Sequence, residues 1–251
     1  MMLVLAGTSE ARNIVRVLQG TGRNVLATVT TEYGKQLLVE EGLAVEGKLS
    51  AVSLAQLLRE QSVQLVVDAT HPFARQVSQL AVEVCGQMGV KYVRFERADT
   101  TLPEIQQGII VVDSFVAAAE ASLNIAGNIF LTVGINQLEI FCRYIPIERL
   151  IVRVLPVASS LVKCVELGIA PARIIAMQGP FTQELNIAMF RQYEAGVVVS
   201  KESGPTGGTD TKLAAARELG IPVILVKRPQ VDYPQVVRSM EELLRVVASN
   251  E

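Results

Sequence analysis

The sequence predicts an α/β protein of two Rossmann-like lobes, with mainly parallel sheets and a cleft between the lobes. Short apolar runs alternate with helical segments of about ten residues, a pattern typical of parallel strands joined by crossover helices. The alternation is interrupted from Arg97 to Gln107, where Pro103 lies among polar residues. We therefore place a domain boundary there and predict an N-terminal lobe of residues 1–100 and a C-terminal lobe of residues 101–251.

In the first lobe, apolar runs predict buried strands, and segments with helical spacing, several of them ended by glycine, predict helices. The opening run ends at Ala6, and the helix after it ends at Gly20. Later strands are predicted at Asn24–Thr30, Gln64–Asp68 and Val90–Arg94, with a short apolar stretch at Leu43–Val45 and helices at Tyr33–Glu41, Ser53–Gln61 and Val77–Met88.

The second lobe repeats the same alternation from Ile109 onward. Strands are predicted at Ile109–Val112, Asn128–Val133, Leu150–Leu155, Arg173–Met177, Gly196–Ser200 and Pro222–Val226. Helices are predicted at Ser114–Leu123, Gln137–Tyr144, Ser159–Leu167, Asn186–Tyr193, Thr211–Leu219 and Gln235–Val247. Because ligands of open parallel sheets bind beyond the carboxyl ends of the strands, we expect function in the turns that follow the strands.

Composition excludes several classes of partner. A net charge of −2 and a pI near 5.7 give no reason to expect nucleic acid or an anionic membrane surface. No apolar run is long enough to span a bilayer. The three cysteines are widely spaced and form no CxxC, and His71 is the only histidine, so we predict no disulfide framework, no metal site and a cytoplasmic location. The oligomeric state stays open.

The opening strand leads into a turn with the outline of a phosphate site. Gly7, Thr8 and Ser9 follow the strand directly, and a helix begins with them. Unpaired amides and the positive end of the helix dipole attract an anion, and a glycine allows it to approach the backbone. Arg12, one turn later, adds a full charge. The turn has one glycine where the dinucleotide fingerprint has three, and it lacks the P-loop lysine.

Two further strand ends carry polar residues. In Asp68-Ala-Thr-His-Pro-Phe73, a histidine follows a buried strand, where its pKa can be tuned for proton transfer; a rigid structural turn is the alternative. The loop Ser200-Lys-Glu-Ser-Gly204, with Gly207-Gly208 and Lys212, offers backbone donors and charge for a phosphate or carboxylate; a solvated turn is the alternative.

Five stretches, in this order, resemble the precorrin-6A reductase family of cobalamin biosynthesis. They are Ala6-Gly-Thr-Ser-Glu-Ala-Arg12, Asp68-Ala-Thr-His-Pro-Phe-Ala74, Tyr92-Val-Arg-Phe-Glu-Arg97, Gln178-Gly-Pro-Phe181 with Glu184-Leu-Asn186, and the lysine loop above; Gly220-Ile-Pro-Val-Ile-Leu-Val-Lys-Arg-Pro229 fits as well. The resemblance implies a two-lobed reductase that uses NADPH, with NADH as the alternative, to reduce one double bond of a corrin precursor, either precorrin-6A or its cobalt complex.

The resemblance implies the cofactor site, whereas the substrate site and the catalytic residue are hypotheses from position in the predicted cleft; solvent or the macrocycle's own periphery is the alternative source of the proton. The proposed cofactor site comprises Gly7, Thr8, Ser9, Arg12, Thr30, Lys201, Glu202, Ser203, Gly204 and Lys212. The proposed substrate site comprises Tyr33, Thr70, Arg94, Arg97, Gln178 and Arg228, with the arginines as clamps for carboxylates. His71 is the proposed catalytic residue. Glu32 and Lys35, close after the second strand, offer both signs of charge, so the choice between NAD and NADP stays open.

Two other functions fit the same architecture. A two-lobed nucleotide-dependent transferase would need a donor site in the second lobe and no hydride chemistry. A non-catalytic binding protein would close its lobes on a small molecule without turnover. Oxidation of a nicotinamide nucleotide by a corrinoid intermediate separates the reductase from both.

Overall fold

The computed structural model describes residues 1–29, 44–47, 49–96, 108–204 and 207–249. The chain divides into two compact units, one of residues 1–98 with 229–251 and the other of residues 99–228. The strands, in chain order, are β1 Met2–Leu5, β2 Val25–Val29, β3 Ala44–Glu46, β4 Leu65–Asp68, β5 Lys91–Phe95, β6 Ile109–Val112, β7 Asn128–Leu131, β8 Leu150–Val154, β9 Ile174–Ala176, β10 Ala195–Lys201, β11 Val223–Val226 and β12 Val236–Val237.

The helices of the described residues alternate with these strands. They are α1 Ser9–Gly20, α2 Ala51–Glu60, α3 Arg75–Met88, α4 Phe115–Leu123, α5 Leu138–Tyr144, α6 Ala158–Glu166, α7 Gln183–Gln192, α8 Thr209–Glu218 and α9 Met240–Ala248, with short 3-10 turns at Ile135–Gln137, Ile147–Arg149 and Pro171–Arg173. Side-chain oxygens cap several N-termini, as Thr8 does for α1 and Ser114 for α4.

The first unit is a parallel sheet covered on both faces, as the near-continuous apolar strands predict. Its strand order is β3-β2-β1-β4-β5-β12. Met2 and Val4 of β1 pack in a core with α1 and α9, whereas Leu3 and Leu5 pack on the opposite face with α2 and α3. All four residues are buried because strand side chains alternate between two covered faces.

The second unit has the same strand order in its own sheet, β9-β8-β7-β10-β11-β6, again parallel throughout. When β1 to β5 of the first sheet and β7 to β11 of the second are each renumbered 1 to 5, both sheets have the strand order 3-2-1-4-5. A sixth strand then follows, as in a Rossmann sheet. The sixth place is filled by β12 in the first sheet and by β6 in the second. The first sheet thus takes its last strand from the segment after the second unit, whereas β6 precedes the other strands of its own unit. The predicted α/β class with parallel sheets is confirmed.

The C-terminal segment departs from the predicted division of the chain. Residues after 228 were expected in the second lobe, but Val236 and Val237 pair with Arg94 and Phe95 of β5, and α9 buries Leu243 and Val247 in the core of the first unit. The last helix also begins at Met240 rather than at Gln235. Ser239 caps it by accepting a hydrogen bond from the Glu242 amide, which leaves the preceding residues for the strand.

Candidate functional site

Each sheet has one point at which successive crossover connections leave in opposite directions. In the first sheet this point lies between β1 and β4, because β1 leads to β2 on one side and β4 leads to β5 on the other. In the second sheet it lies between β7 and β10. Ligands of doubly wound sheets bind in the crevice outside the strand ends at such switch points.

The opening turn lies at the first switch point. Gly7 is exposed, and a Cβ atom added to it would meet no atom within 4 Å. Thr8 is the N-cap of α1, where its hydroxyl accepts a hydrogen bond from the Ala11 amide at 3.1 Å, and Ser9 is the first residue of the helix. Arg12 is half-buried in the first turn, and no other described residue pairs with its guanidinium. The turn therefore combines open space, helix amides and an unpaired cation.

The turn after β4 forms the other side of this switch point. The Thr8 hydroxyl donates a hydrogen bond to the Ala69 carbonyl at 3.0 Å and so ties the two turns together. His71 is half-buried, and its Nδ1 accepts a hydrogen bond from the Phe73 amide at 3.2 Å. A neutral imidazole in this arrangement carries its proton on Nε2. The structure thus places Gly7, Thr8 and His71 around one strand junction.

Two predicted substrate contacts of this unit lie in its interior instead. The guanidinium of Arg94 pairs with Asp68 at 2.8 Å, and its side chain is 2% exposed. The Thr70 hydroxyl is also buried, donating to Asp68 Oδ1 at 2.7 Å and accepting from Arg94 at 3.0 Å. Burial alone would raise the pKa of Asp68, but the charge of Arg94 and hydrogen bonds from Ser78, Tyr92 and Thr70 hold that pKa below its ordinary value. The prediction of Arg94 as a carboxylate clamp is wrong, because an internal carboxylate already occupies it.

At the second switch point, the lysine loop follows β10. The Thr209 hydroxyl closes the loop, accepting from the Ser203 amide at 3.2 Å and donating to the Lys201 carbonyl at 3.3 Å. Gly204 and Gly208 both have positive φ values, of 76° and 65°, which residues with a Cβ rarely adopt. The two bonds of Thr209 therefore tie the residues that follow β10 to the start of α8.

Glu202 and Arg228, predicted for different ligands, contact each other. The Arg228 side chain donates to the Glu202 carbonyl at 3.0 Å, and the Arg228 amide donates to the Glu202 carboxylate at 3.2 Å. The pair joins the ends of β10 and β11. Gln178 is exposed beyond β9, which is the edge strand of this sheet and is separated from the switch point by β8.

Three cations gather on the β8–β10–α8 side of the second unit. Arg153 of β8 is 7% exposed and Lys212 of α8 is 6% exposed, and neither makes an ion pair with a carboxylate of the described residues. Burial, with the neighbouring charges of Arg153 and Lys201, lowers the pKa of Lys212 to about 7. Burial also lowers the pKa of Lys201 to about 8 and that of Arg153 to about 10. We call these three residues the basic cluster.

Arg153 was not predicted from the sequence. Its Nη1 donates to the Asn186 side-chain oxygen at 2.8 Å, and its guanidinium carbon lies 4.1 Å from the centre of the Phe181 ring. Asn186 in turn donates to the Thr182 carbonyl at 2.9 Å, so α7 fixes the guanidinium from one side. A single arginine inside the apolar run of β8 was the available signal, since buried strands rarely carry an unpaired charge.

Some predicted residues lie outside the residues that the structure describes, namely Thr30, Tyr33 and Arg97. Across the described ranges, no group of three or more His, Cys, Asp or Glu side chains is arranged to hold a metal ion. A search of the same residues finds no helix that is both long and apolar enough to cross a bilayer.

Comparison with known proteins agrees with the resemblance in the sequence. The family model described as precorrin-6x reductase CbiJ/CobK matches residues 1–248. A cobalt-precorrin-6A reductase of Methanothermobacter thermautotrophicus is 44% identical over 92% of this chain and 77% of its own length. A precorrin-6A reductase of Rhodobacter capsulatus is 32% identical over 99% of this chain and 96% of its own. A solved structure of CobK precorrin-6A reductase superposes with a TM-score of 0.81 at 29% identity, covering 99% of this chain and 96% of that one. The chain therefore belongs to the precorrin-6A and cobalt-precorrin-6A reductase family, the oxidoreductases of cobalamin biosynthesis.

Proposed function

We propose that this reductase takes its electrons from NADPH bound at the first switch point and holds the carboxylates of its corrin-precursor substrate with the basic cluster. The single observation that carries the proposal is the contrast in charge between the two switch points. The first pairs its buried arginine with Asp68, whereas Arg153 and Lys212 in the second have no described carboxylate to pair with.

The opening turn fits a dinucleotide phosphate. Gly7 leaves open the volume that a side chain would fill, and the first amides of α1 present donors and a positive dipole end. Arg12 adds a guanidinium suited to bidentate contact with phosphate. Thr8, tied to both α1 and Ala69, holds the turn in place. The nicotinamide, when bound, supplies the hydride, and the protein's task is to position it and exclude water.

The basic cluster fits an anionic substrate. Burying a charge without a partner is costly, so the two buried cations that pair with no described carboxylate, Arg153 and Lys212, are stabilised when an anion joins them. Phosphate and carboxylate share the required chemistry. We assign the cluster to carboxylates because the macrocycle implied by the resemblance carries several, and this moves Lys201 and Lys212 from the predicted cofactor set to the substrate.

The reduction also requires a proton, because hydride addition to one carbon of the double bond leaves the other carbon to be protonated. His71 is the proposed donor. In the structure the Phe73 amide bonds to Nδ1, which fits the neutral ring. To act as the donor, His71 first takes up a proton and loses that hydrogen bond, and the imidazolium then gives one proton to the carbon and returns to the neutral ring. Replacement by glutamine, which keeps a polar side chain without that acid, is expected to lower kcat by about 100-fold, the ordinary worth of general acid catalysis.

We propose cobalt-precorrin-6A as the preferred substrate. The relatives that are 44% and 35% identical, from Methanothermobacter thermautotrophicus and Priestia megaterium, bear that name. The metal would arrive within the substrate. Steady-state oxidation of NADPH with the cobalt complex and with metal-free precorrin-6A, compared as kcat/KM, tests this choice; a higher value for the metal-free ring would reverse it.

Gly7→Ala tests the nucleotide site directly. Since a Cβ at residue 7 meets nothing in the empty protein, stability should stay within about 0.5 kcal/mol, whereas the Kd for NADPH should rise about tenfold or more as the methyl enters the phosphate volume. Gly86→Ala, in α3, is the matched control, because its Cβ also meets nothing. Calorimetric titration with NADPH and NADH should show no change for that control. Unchanged NADPH affinity in Gly7→Ala would remove the opening turn from the cofactor site.

A further inference from the structure

The buried Arg94–Asp68 pair does more than neutralise a charge. Arg94 Nη1 bonds to both Asp68 Oδ1 at 2.8 Å and Thr70 Oγ1 at 3.0 Å, and Nη2 donates to the Thr70 carbonyl at 3.1 Å. Asp68 also accepts from the Thr70 amide at 2.9 Å and from the Tyr92 hydroxyl at 2.6 Å. Two of the three guanidinium contacts therefore go to Thr70 and not to the carboxylate.

Apolar side chains in place of this buried ion pair could give a core of equal or higher stability. Arg94 Nε is buried with no hydrogen-bond partner. A buried ion pair can often be replaced by apolar residues at no cost in stability, and an unsatisfied buried donor costs further free energy. The aromatic ring of Tyr233, 5.3 Å from the guanidinium carbon, covers the group without bonding to Nε. The contacts to Thr70 therefore point to a geometric purpose.

The braced residue lies next to the opening turn. Thr70 follows Ala69, whose carbonyl accepts the hydrogen bond from the Thr8 hydroxyl. Thr8 in turn caps α1 at the Ala11 amide. These hydrogen bonds, joined by the peptide bond between Ala69 and Thr70, thus link Arg94 to the N-terminus of α1. Every bond in this path lies within the first unit.

We propose that Arg94 is a positioning residue for nucleotide binding, holding the turn after β4 so that Thr8 and the first amides of α1 stay in register for phosphate. The inference rests on the assignment of NADPH to this switch point. Arg94 itself touches neither the nucleotide nor the reacting atoms, because its side chain is enclosed. Its largest effect is expected in cofactor affinity.

Arg94→Lys and Tyr92→Phe form a matched pair that tests the role. Lysine keeps a positive charge for Asp68 but cannot also reach the Thr70 hydroxyl and carbonyl. Phenylalanine removes one bond to Asp68 Oδ2 and leaves every contact of Arg94 with Thr70. We expect the Kd for NADPH to rise about tenfold in Arg94→Lys and less than about threefold in Tyr92→Phe, although both remove buried hydrogen bonds. The kcat at saturating NADPH should fall by a smaller factor than the Kd rises in Arg94→Lys, and it should be unchanged in Tyr92→Phe.

The outcomes separate a positioning role from a structural one. Equal NADPH affinities in the two variants, or a loss that follows their melting temperatures, would overturn the inference. If Arg94→Lys does not fold, Thr70→Val removes the braced hydroxyl alone and should raise the Kd for NADPH by about threefold or more. Wild-type protein and Gly7→Ala are measured alongside. If Gly7→Ala binds NADPH normally, the cofactor assignment fails; if only the Arg94 result fails, the assignment stands.

Discussion

The two units share one strand order but differ in the charge at their switch points. The fourth strand of the first sheet ends at Asp68, and that of the second ends at Lys201. Each unit also buries one arginine in a strand, Arg94 in β5 and Arg153 in β8. The first arginine has a carboxylate partner at 2.8 Å, whereas the second is bonded to the neutral Asn186 and stacked on Phe181.

The difference suits one architecture to the two binding tasks proposed above. At the first switch point Asp68 neutralises the buried Arg94, so the turn after β4 is held in place before any ligand arrives. The second switch point buries the positive charges of Arg153 and Lys212. The protein is therefore less stable than it could be until an anion binds there. Function therefore depends on the side chains at the strand ends and not on the shared topology.

The largest expected effect comes from Lys212→Met, which removes the most buried cation of the cluster and keeps the length of the side chain. We expect the empty protein to gain about 1–3 kcal/mol in unfolding free energy, because the desolvated charge is gone. The kcat/KM for the tetrapyrrole should fall about 10- to 100-fold, the worth of one charge-assisted contact. Thermal denaturation and steady-state kinetics measure the two changes.

Lys163→Met is the control for this variant. Lys163 lies in α6 of the same unit, with its side chain 42% exposed, and its nearest carboxylate oxygen, on Glu139, is 3.9 Å away. Stability and kcat/KM should both change little there. A destabilised Lys212→Met with unchanged substrate affinity would contradict the contrast drawn between the two units.

The pH dependence of substrate affinity gives a smaller effect. A bound carboxylate favours protonated Lys212, whose pKa in the empty protein is about 7, so binding above that pH takes up a proton. The Kd for the tetrapyrrole should rise about tenfold from pH 6.5 to 8.5 in the wild type. Lys201, with a pKa of about 8, contributes part of this slope, so Lys212→Met should retain a weaker one.

The stability of the protein without substrate should also depend on pH. The pKa of Lys212 is below its unfolded value of 10.5, so its penalty is fully present below pH 7 and disappears as the pH rises towards 10.5. The stability advantage of Lys212→Met over the wild type should shrink over that range. An advantage that stays constant from pH 6.5 to 9.5 would mean that Lys212 is not desolvated.

The fold was largely predictable because its signals are local. Buried strands such as Leu65–Asp68 read as continuous apolar runs, and caps such as Ser114 mark where helices begin. The return of β12 to the first sheet was not predictable from such signals. Val236 and Val237 form a two-residue strand without periodicity, and their choice between β5 and β11 depends on packing across the whole chain.

Site residues could be predicted where the conformation of the backbone forms the site, as in the glycine turn at residue 7 and the loop from Lys201 to Thr209. The roles of the buried arginines were harder to predict. Arg94 and Arg153 each lie in an apolar strand, and nothing local reveals that one meets a carboxylate and the other does not. That distinction depends on Asp68, 26 residues away in the chain, and on the lack of a counterpart in the second unit's described residues.

The smallest expected effect compares two threonines in equivalent places. Thr8 bonds to the Ala69 carbonyl and Thr132 to the Val199 carbonyl, each at 3.0 Å and each across its own switch point. Valine at either position should cost about 1 kcal/mol of stability, with somewhat more for Thr8 because it also caps α1. Only Thr8→Val should raise the Kd for NADPH, by about three- to fivefold, since only its turn holds the nucleotide. Fluorescence titration of NADPH into both variants measures this, and an equal loss in Thr132→Val would show that the coenzyme also depends on the second switch point.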